Sequence, residues 1–467
     1  MAARLSITPT TPPSPICIVG AGYVGLVTAV CLAEGGVQVR LLDVDRERLE
    51  QLRGGRSPIH EPMLDELLVG VLANERLTLH DSAHEAIKGA QVVMVAVGTP
   101  PLADGRADLS QVRAALTNAV AHASPDAIMV IKSTVPPGTT AAMRAICRRN
   151  GRRFPLAVCP EFLSEGSAVR DFNHPPQVVI GGDDPASCER VAALFSHLDA
   201  PIIITDSTSA ELIKYGVNAF LALKISFINE MAHLCELVSA DIMSVADGIG
   251  ADPRIGRAFL GAGLGFGGSC FPKDVRALDQ AASYHGQSFW LLRAAVEVNA
   301  QQRTRFVAKI QDALNDRING KRIAVLGLAF KPGTDDVRAA ASIDVIKHLE
   351  DLGARVTATD PVATLSASRH LPLTRLVRDP YECVKDADAV VVVTEWPEYR
   401  DLDWHHVAEL VKRRLVVDGR NCLDADQVVA AGFTYLSIGQ QVRRPQTVRR
   451  SRATDLKTPQ VITGTHG

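Results

Sequence analysis

Residues 265–274 read GFGGSCFPKD, where three glycines lead to Cys270 and Pro272, Lys273 and Asp274 follow at once. Glycine permits backbone conformations that other residues avoid, and proline is favoured in the first turn of a helix. The stretch therefore predicts a flexible loop that delivers one thiol to the start of a helix. By itself the loop leaves open whether this thiol is a nucleophile or one of nine structural cysteines.

A second group of candidate residues lies in the apolar stretch 209–239. Lys214 and Asn218 stand four residues apart, so on a helix they share one face. Burying a lysine and an asparagine is costly unless they have partners, so a polar group should face them. A structural salt bridge between Lys214 and Glu211 is the alternative.

Two further segments could supply polar groups to the same place. STVPPGT (133–139) follows an apolar run, and open sheets place site loops directly after their strands. PEFLSEG (160–166) brings Glu161 and Glu165 four residues apart. The alternative for PEFLSEG is a turn with a capped helix start.

The stretch GAGYVG (20–25) predicts a dinucleotide site. It follows an apolar run and opens a helical pattern, with Gly20, Gly22 and Gly25 at GxGxxG spacing around Tyr23 and Val24. The glycines permit a tight turn and a close approach to a pyrophosphate, and the helix start offers unpaired N–H groups.

Asp43 ends the next apolar run, where its carboxylate can accept both hydroxyls of a ribose. This favours NAD over NADP, because the carboxylate would repel a 2′-phosphate. Arg46 and Arg48 weaken that argument, and their alternative is a solvated helix start.

Hydrophobic periodicity predicts the elements that position these residues. Apolar runs at 16–20, 37–43, 92–98, 127–134 and 177–182 alternate with helical patterns, as in a parallel, doubly wound sheet. A second such region has runs at 321–330, 355–360, 389–394 and 415–418. Between them, the stretch 209–239 lacks proline and is apolar on most of its surface, which predicts a long helix buried between domains or subunits.

Composition limits the function classes. A chain of 467 residues with 46% hydrophobic and 22% charged residues fits two or three globular domains. A formal charge of −2 gives no electrostatic signature of nucleic-acid binding, apart from a basic C-terminal segment for which a solvated tail is favoured. Apolar runs are too short for a membrane span, and the cysteines lack metal-binding spacing, so we expect no metal and a cytoplasmic protein.

The chain resembles the UDP-glucose/GDP-mannose dehydrogenase family from about residue 16 to residue 439. The matching stretches are GAGYVGL, KSTVPPGT, PEFLSEG, ELIKYGVNAFLALKISFINE, RIGRAFLGAGLGFGGSCFPKD, GLAFKPGTDDVR and DGRN. The resemblance implies an NAD-linked oxidation that takes C6 of UDP-glucose from the alcohol through the aldehyde level to the acid of UDP-glucuronate. It also implies a nucleophilic role for Cys270, because a second hydride leaves an aldehyde carbon only after a nucleophile has added.

The resemblance implies catalytic roles for Cys270, Lys214, Asn218, Asp274, Glu161 and Thr134. Lys214 would stabilise oxyanions, with Asn218 beside it as a neutral donor. Asp274 would act in proton transfer, and Glu161 and Thr134 would position water and substrate.

Ligand contacts are implied in the same way. The implied cofactor contacts are Gly20, Gly22, Tyr23, Val24, Gly25, Asp43, Arg48, Thr99, Thr134, Glu165 and Arg338. The implied substrate contacts are Glu161, Phe162, Leu163, Lys214, Asn218, Arg254, Phe266, Gly267, Cys270, Phe330, Lys331 and Arg420. Arg254 resembles an arginine that reaches the site of a neighbouring subunit, so a homodimer is implied.

We therefore expect an α/β fold with two Rossmann-like, doubly wound domains joined by a long central helix and a helical dimerisation region. The predicted boundaries are a disordered tail at 1–14, an NAD-binding domain at 15–207, a central domain with the cysteine loop at 208–317, a UDP-sugar-binding domain at 318–440 and a basic disordered tail at 441–467. Two alternatives for function stay open: the same chemistry on GDP-mannose or a UDP-N-acetylhexosamine, and a catalytically silent nucleotide-binding protein.

Overall fold

The computed structural model describes residues 11–148 and 153–445. The first α/β unit contains the strands β1 (Ile16–Val19), β2 (Val39–Leu42), β3 (Leu77–His80), β4 (Val92–Val95), β5 (Ile128–Ile131), β6 (Leu156–Val158), β7 (Val178–Gly182) and β8 (Ile202–Thr205). Its helices are α1 (Tyr23–Glu34), α2 (Arg46–Arg53), α3 (Leu64–Ala73), α4 (Ala83–Ile87), α5 (Ser110–His122), α6 (Thr139–Met143), α7 (Ala168–Asn173) and α8 (Pro185–Ala192), which continues into a 3-10 turn at Ala193–Phe195.

The strands of the first unit form one sheet in the order β3-β2-β1-β4-β5-β6-β7-β8. β4 and β5 are buried along their whole length because helices cover both faces of the sheet, as in other doubly wound folds. The expected parallel pairing holds for each pair of neighbours except β6 and β7, which run antiparallel. Strands β3, β6 and β8 add to the five expected from the sequence.

The central segment is helical. It consists of α9 (Ser207–Val238), α10 (Ile242–Gly250), α11 (Phe271–Tyr284) and α12 (Trp290–Ala313). Asp206 caps α9 by accepting a hydrogen bond from the Ser209 amide, and Ser239 ends the helix in a left-handed conformation. One face of α9 packs with α11 and α12 around a small apolar core that includes Tyr215, Val275 and Leu292. The long helix expected at 209–239 is thus confirmed, and it is buried on the face that meets the two units and α11 and α12 but not on the opposite face.

The second α/β unit has the strands β9 (Arg322–Leu326), β10 (Arg355–Thr359), β11 (Arg375–Val377), β12 (Ala389–Val392), β13 (Leu415–Asp418) and β14 (Thr434–Ser437). Its helices are α13 (Ala341–Asp351), α14 (Thr364–Ser368), α15 (Pro380–Val384), α16 (Pro397–Arg400), α17 (Trp404–Leu410) and α18 (Ala425–Ala430). The sheet order is β11-β10-β9-β12-β13-β14, and each pair is parallel. Strands β11 and β14 were not expected from the sequence, but the fold class is confirmed.

The two predicted tails fall largely outside the described residues, at 1–10 and 446–467. The parts of both tails that are described, 11–14 and 441–445, pair with the domains. Ser14 accepts hydrogen bonds from Gln38 and Gln91, and Arg443 forms a β-bridge with Tyr435. The backbone pairing of the second unit therefore extends past the predicted boundary at 440.

None of the helices in residues 11–148 and 153–445 combines the length and the apolar character that crossing a bilayer requires.

Candidate active site

The thiol loop is held by amide side chains from two helices. On α12, Asn299 accepts from the Phe266 N–H at 2.7 Å and donates to the Phe266 carbonyl at 3.0 Å. Gln302 on α12 donates to the Gly263 carbonyl, and Asn229 on α9 accepts from the Gly263 N–H. These three positioning residues were not expected from the sequence. Their signal was an amide on an otherwise apolar helix face, the same signal that identified Asn218.

Glycines bring the loop against the second α/β unit. A Cβ on Gly267 would lie 2.2 Å from the Ala339 carbonyl oxygen, so no larger residue fits there. Gly268 has φ +80°, donates its N–H to the Arg338 carbonyl and packs against the Phe330 ring. The loop therefore joins the central helices to the loop between β9 and α13, and it ends at Cys270, the residue before α11.

Two polar pairs lie around the thiol. Lys214 forms an ion pair with Glu161, with Nζ to Oε1 at 3.0 Å, and the two side chains are only 3% and 5% exposed. Asn218 donates to Asp274 Oδ2 at 2.6 Å, and Lys273 pairs with Asp274 Oδ1 at 2.6 Å. The expected shared face of α9 thus meets polar groups from PEFLSEG and from α11.

The alternative partner of Lys214 is not observed. Glu211 instead accepts hydrogen bonds from the backbone N–H groups of Gly138 and Thr140 at 2.6 and 2.7 Å. It therefore anchors the STVPPGT loop to α9. Within that loop, Thr134 accepts through its carbonyl from the Thr99 hydroxyl at 3.0 Å, so the ends of two neighbouring strands are joined.

The carboxylates around the thiol raise the pKa of both Lys214 and Cys270. Burial lowers the pKa of Lys214, but Glu161 and Asp274 outweigh that effect, and the net pKa is raised. Burial, followed by the same two carboxylates, raises the pKa of Cys270 to about 11, although Lys214 opposes them. At neutral pH, Lys214 is therefore a cation and Cys270 is a protonated thiol.

PEFLSEG continues across the site. The Phe162 ring lies under the Lys214 ammonium, with 5.3 Å from Nζ to the ring centroid, and the Leu163 N–H donates to Glu161. Glu165 accepts from Ser269 Oγ at 2.7 Å, and Arg338 lies 3.4 Å away. The structure thus brings Glu165 and Arg338 together next to the thiol loop.

The dinucleotide turn has the expected conformation. Gly20 adopts φ +104°, and a Cβ on Gly25 would lie 1.8 Å from the Gly20 carbonyl oxygen. A Cβ on Gly22 would meet no protein atom within 4 Å, so the space before α1 is open to a ligand. Tyr23 and Val24 form the first residues of α1, and the Tyr23 hydroxyl accepts from the Gly166 N–H at 2.8 Å.

Asp43 lies next to this turn. Its carboxylate accepts from the N–H groups of Ala21 at 2.6 Å and Asp45 at 2.9 Å, and from Arg48 Nη1 at 3.1 Å. Arg46 is exposed and pairs with Asp81, which fits the solvated alternative. Arg48 therefore belongs to the turn, whereas Arg46 points to the surface.

The second unit also has a glycine turn and an aspartate after its first two strands, but the carboxylate of this aspartate is fully occupied by hydrogen-bond donors of the protein. Gly327 follows β9 with φ +103°, and Asp360 follows β10 and accepts from the Leu328 N–H. Asp360 also accepts from three other backbone N–H groups and from Trp396 Nε1. Its carboxylate has about four lone-pair positions, which these donors fill. α13 begins only at Ala341, so no helix starts directly after this turn.

Two expected substrate contacts of the second unit, Lys331 and Arg420, lie against the segments around the thiol. Lys331 donates to Ser164 Oγ at 2.6 Å, across to PEFLSEG. Arg420 donates to the carbonyls of Gly265 and Phe330 at 3.3 and 3.2 Å. Arg420 therefore ties the thiol loop to the segment that carries Lys331.

Arg254 was also expected at the site, but its contacts lie elsewhere. It is exposed and pairs with Asp252 at 2.6 Å, and no hydrogen bond or ion pair among the described residues joins it to the thiol loop.

Comparison with protein-family models gives three consecutive matches. They are the NAD binding domain, the central domain and the UDP binding domain of the UDP-glucose/GDP-mannose dehydrogenase family, at residues 14–199, 208–301 and 324–425.

Comparison with individual proteins indicates the same family. The chain is 42% identical to UDP-glucose 6-dehydrogenase TuaD of Bacillus subtilis over 92% of this chain and 94% of the relative, and 43% identical to UDP-glucose 6-dehydrogenase of Rhizobium meliloti over 91% and 99%. A solved UDP-glucose dehydrogenase from Pyrobaculum islandicum has a TM-score of 0.85 at 38% identity, covering 92% of this chain and 98% of that one. The chain belongs to the UDP-glucose/GDP-mannose dehydrogenase family.

Proposed function

We propose that this protein oxidises UDP-glucose at C6 to UDP-glucuronate, with two NAD⁺ reduced and one water consumed. The observation that carries the proposal is the convergence of the half-buried Cys270 thiol with the buried Lys214–Glu161 ion pair and the buried Asn218–Asp274 hydrogen bond. A thiol in this setting serves an oxidation that proceeds past the aldehyde. The relatives at 42% and 43% identity are UDP-glucose 6-dehydrogenases, which supports this sugar nucleotide.

The residues of the first unit fit NAD. The open space at Gly22 suits a pyrophosphate at the start of α1, and Asp43 would hold the ribose hydroxyls, with Arg48 beside it. Thr99 and Thr134, at the ends of β4 and β5, would be further cofactor contacts. Glu165 and Arg338 would lie near the other end of the cofactor. When bound, NAD⁺ accepts one hydride in each oxidation.

In the first oxidation, the chain's own groups act on the C6 hydroxyl. Lys214 is held as a cation by Glu161 and Asp274, so it would stabilise the alkoxide that develops as the hydride leaves. Asn218 would add a neutral donor, and Asp274 would serve the proton transfer.

In the second oxidation, the Cys270 sulfur adds to the aldehyde carbon and the carbonyl oxygen becomes an anion beside Lys214. Loss of the second hydride leaves a thioester, which water hydrolyses to the acid and the free thiol. Glu161 and Thr134 would position that water. The nucleotide part of the substrate would contact Phe266, Gly267, Phe330, Lys331 and Arg420, on the thiol loop and the second unit.

We further propose a homodimer in which Arg254 acts across the interface. α9 exposes Phe220, Phe227 and Leu234 at intervals of seven residues, so they form one apolar stripe. Exposed apolar patches of this kind mark interaction surfaces, and a second copy would cover this one. Sedimentation of Phe227→Glu beside the wild type tests this, because a dimer through α9 predicts a shift toward monomer.

The nine free cysteines support a reducing, cytoplasmic location.

The ratio of NADH formed to sugar nucleotide consumed tests the function. UDP-glucose, GDP-mannose, UDP-N-acetylglucosamine and UDP-N-acetylmannosamine are each supplied separately. Two NADH per UDP-glucose, with the others inert, is the expected result. One NADH per UDP-glucose would contradict the role of Cys270, and turnover of another sugar nucleotide alone would contradict the substrate.

A further inference from the structure

The Ser269 side chain lies between the thiol of Cys270 and the carboxylate of Glu165. Ser269 Oγ is 2.7 Å from Glu165 Oε1 and 3.5 Å from Cys270 Sγ. A serine hydroxyl has one proton to donate, and an ionised carboxylate can only accept. With Ser269 donating to Glu165, its lone pairs are left for the thiol proton. The three groups thus form a directed chain from sulfur to carboxylate.

The thiol needs a proton acceptor. Burial, followed by Glu161 and Asp274, raises the pKa of Cys270 to about 11, and Lys214 and Ser269 only partly oppose them. Lys331 and Arg338 also lie close enough to interact with Cys270. The reactive form of cysteine is the thiolate, so at neutral pH the proton must be removed for the attack.

The two carboxylates next to the thiol already have partners. Asp274 is held by Asn218 and Lys273, each at 2.6 Å, and Glu161 is held by Lys214 at 3.0 Å. In the described part of the chain, neither of them forms a hydrogen bond with Cys270 Sγ. Ser269 is the hydrogen-bonding neighbour that the thiol does have.

Glu165 is suited to receive the proton. Burial, and next the neighbouring Asp336, raises the pKa of Glu165 to about 7, while Ser269 and Arg338 lower it. Lys331 also faces this carboxylate. A base whose pKa lies near the working pH exchanges protons most effectively.

We propose that Ser269 relays the thiol proton of Cys270 to Glu165. The Ser269 hydroxyl accepts the proton from sulfur as it gives its own proton to Glu165 Oε1. Sulfur keeps the electron pair and forms the bond to the aldehyde carbon, and the carbonyl π pair moves to the oxygen beside Lys214. When the thioester is hydrolysed, the departing thiolate takes the proton back along the same path.

The relay rests on the proposed function, because it serves the addition to the aldehyde. Its test nevertheless needs no sugar nucleotide. Iodoacetamide alkylates thiolates, so the rate at which the Cys270 peptide is carbamidomethylated, followed by mass spectrometry, reports how easily the thiol loses its proton. A failed relay is therefore distinguishable from a wrong substrate.

The variants are Ser269→Ala, Ser269→Thr, Glu165→Gln and the double variant Ser269→Ala/Glu165→Gln. We expect Ser269→Ala and Glu165→Gln each to slow alkylation at neutral pH by roughly tenfold, since a hydrogen bond to a charged group is lost. Ser269→Thr keeps the hydroxyl and should retain most of the rate. The double variant should be no slower than Ser269→Ala, because both changes break one chain.

Glu165→Gln separates the relay from simple electrostatics. Removing a nearby negative charge would by itself favour the thiolate and speed alkylation, whereas loss of the relay slows it. Faster alkylation of Glu165→Gln, or a wild-type rate in Ser269→Ala, would overturn the proposal. If Ser269→Ala fails to fold, as judged by NAD binding and thermal unfolding, the other two variants still test the relay. It predicts slower alkylation in Glu165→Gln and a nearly unchanged rate in Ser269→Thr.

Discussion

Lys214 and Glu161 form an ion pair that is almost fully enclosed, although one residue lies on the central helix and the other follows a strand of the first unit. Each charge depends on the other, because a buried charge without a partner is strongly unfavourable. The pair therefore supports the packing of α9 against the first sheet, and it would also serve the proposed chemistry.

Replacing Lys214 by methionine should lower the free energy of unfolding by about 3 to 5 kcal/mol, because Glu161 loses its cation. The double variant Lys214→Met/Glu161→Gln should recover most of that stability and still form no NADH. Urea denaturation and NADH absorbance measure the two effects. A Lys214→Met protein as stable as the wild type would show that the pair is not structural.

Cys270→Ser should form no UDP-glucuronate and bind NAD as the wild type does. The thiol is needed for the second oxidation, while the dinucleotide turn belongs to a different segment, at 20–25. Chromatography of the products and titration with NAD test the two halves of this prediction. Acid production at the wild-type level would exclude a covalent intermediate on Cys270.

Asp43→Ala should raise the Kd for NAD about tenfold or more, since hydrogen bonds to an ionised carboxylate contribute roughly 1.5 to 3 kcal/mol each. Cys270 alkylation should be unchanged, which provides the internal control. If the Asp43→Ala protein bound NAD as tightly as the wild type, the ribose would not lie at this carboxylate.

Glu165 should make stability depend on pH. Its pKa rises from the ordinary value of 4.5 to about 7 in the folded protein, so the folded state holds the proton more tightly. The stabilisation is fully present below pH 4.5 and is lost as pH rises through 7, on the order of 1 to 3 kcal/mol. Urea denaturation at several pH values should therefore show Glu165→Gln gaining on the wild type across this window. Parallel pH profiles would refute the raised pKa.

Asn299→Ala should loosen the thiol loop, because the Phe266 N–H loses its partner and the Phe266 carbonyl keeps its hydrogen bond from Arg303 but loses the one from Asn299. We expect a loss of about 1 to 3 kcal/mol in unfolding free energy, together with a lower kcat and an unchanged Kd for NAD. Gln301→Ala is the matched control, since Gln301 lies on the exposed side of the same helix and contacts Glu297. Equal effects of the two changes would argue against a special role for Asn299.

Much of the site could be predicted because its signals are local. The spacing of Gly20, Gly22 and Gly25, the position of Asp43 after a strand, and the four-residue interval from Lys214 to Asn218 each follow from the geometry of one element. The same holds for the loop that precedes Cys270. Family resemblance then added roles that spacing could not give.

The remaining features depend on contacts between distant segments. Lys214 could have paired with nearby Glu211, and only the packing of α9 on the first sheet selects Glu161 instead. Similarly, the antiparallel pairing of β6 and β7 is a property of the whole sheet. Ser269 lies in the local loop before Cys270, yet its link to Glu165 joins residues far apart in the chain.

The contrast between Asp43 and Asp360 has a kinetic consequence. Within the described residues, the two α/β units share a strand order and a glycine turn, but only the first keeps a carboxylate with room for a ribose. In the proposed function, one cofactor position would then serve two successive hydride transfers. The residence time of the half-oxidised sugar has to exceed the time for spent NADH to be exchanged for fresh NAD⁺. Retention of that intermediate, rather than the speed of either transfer, would decide how much aldehyde escapes.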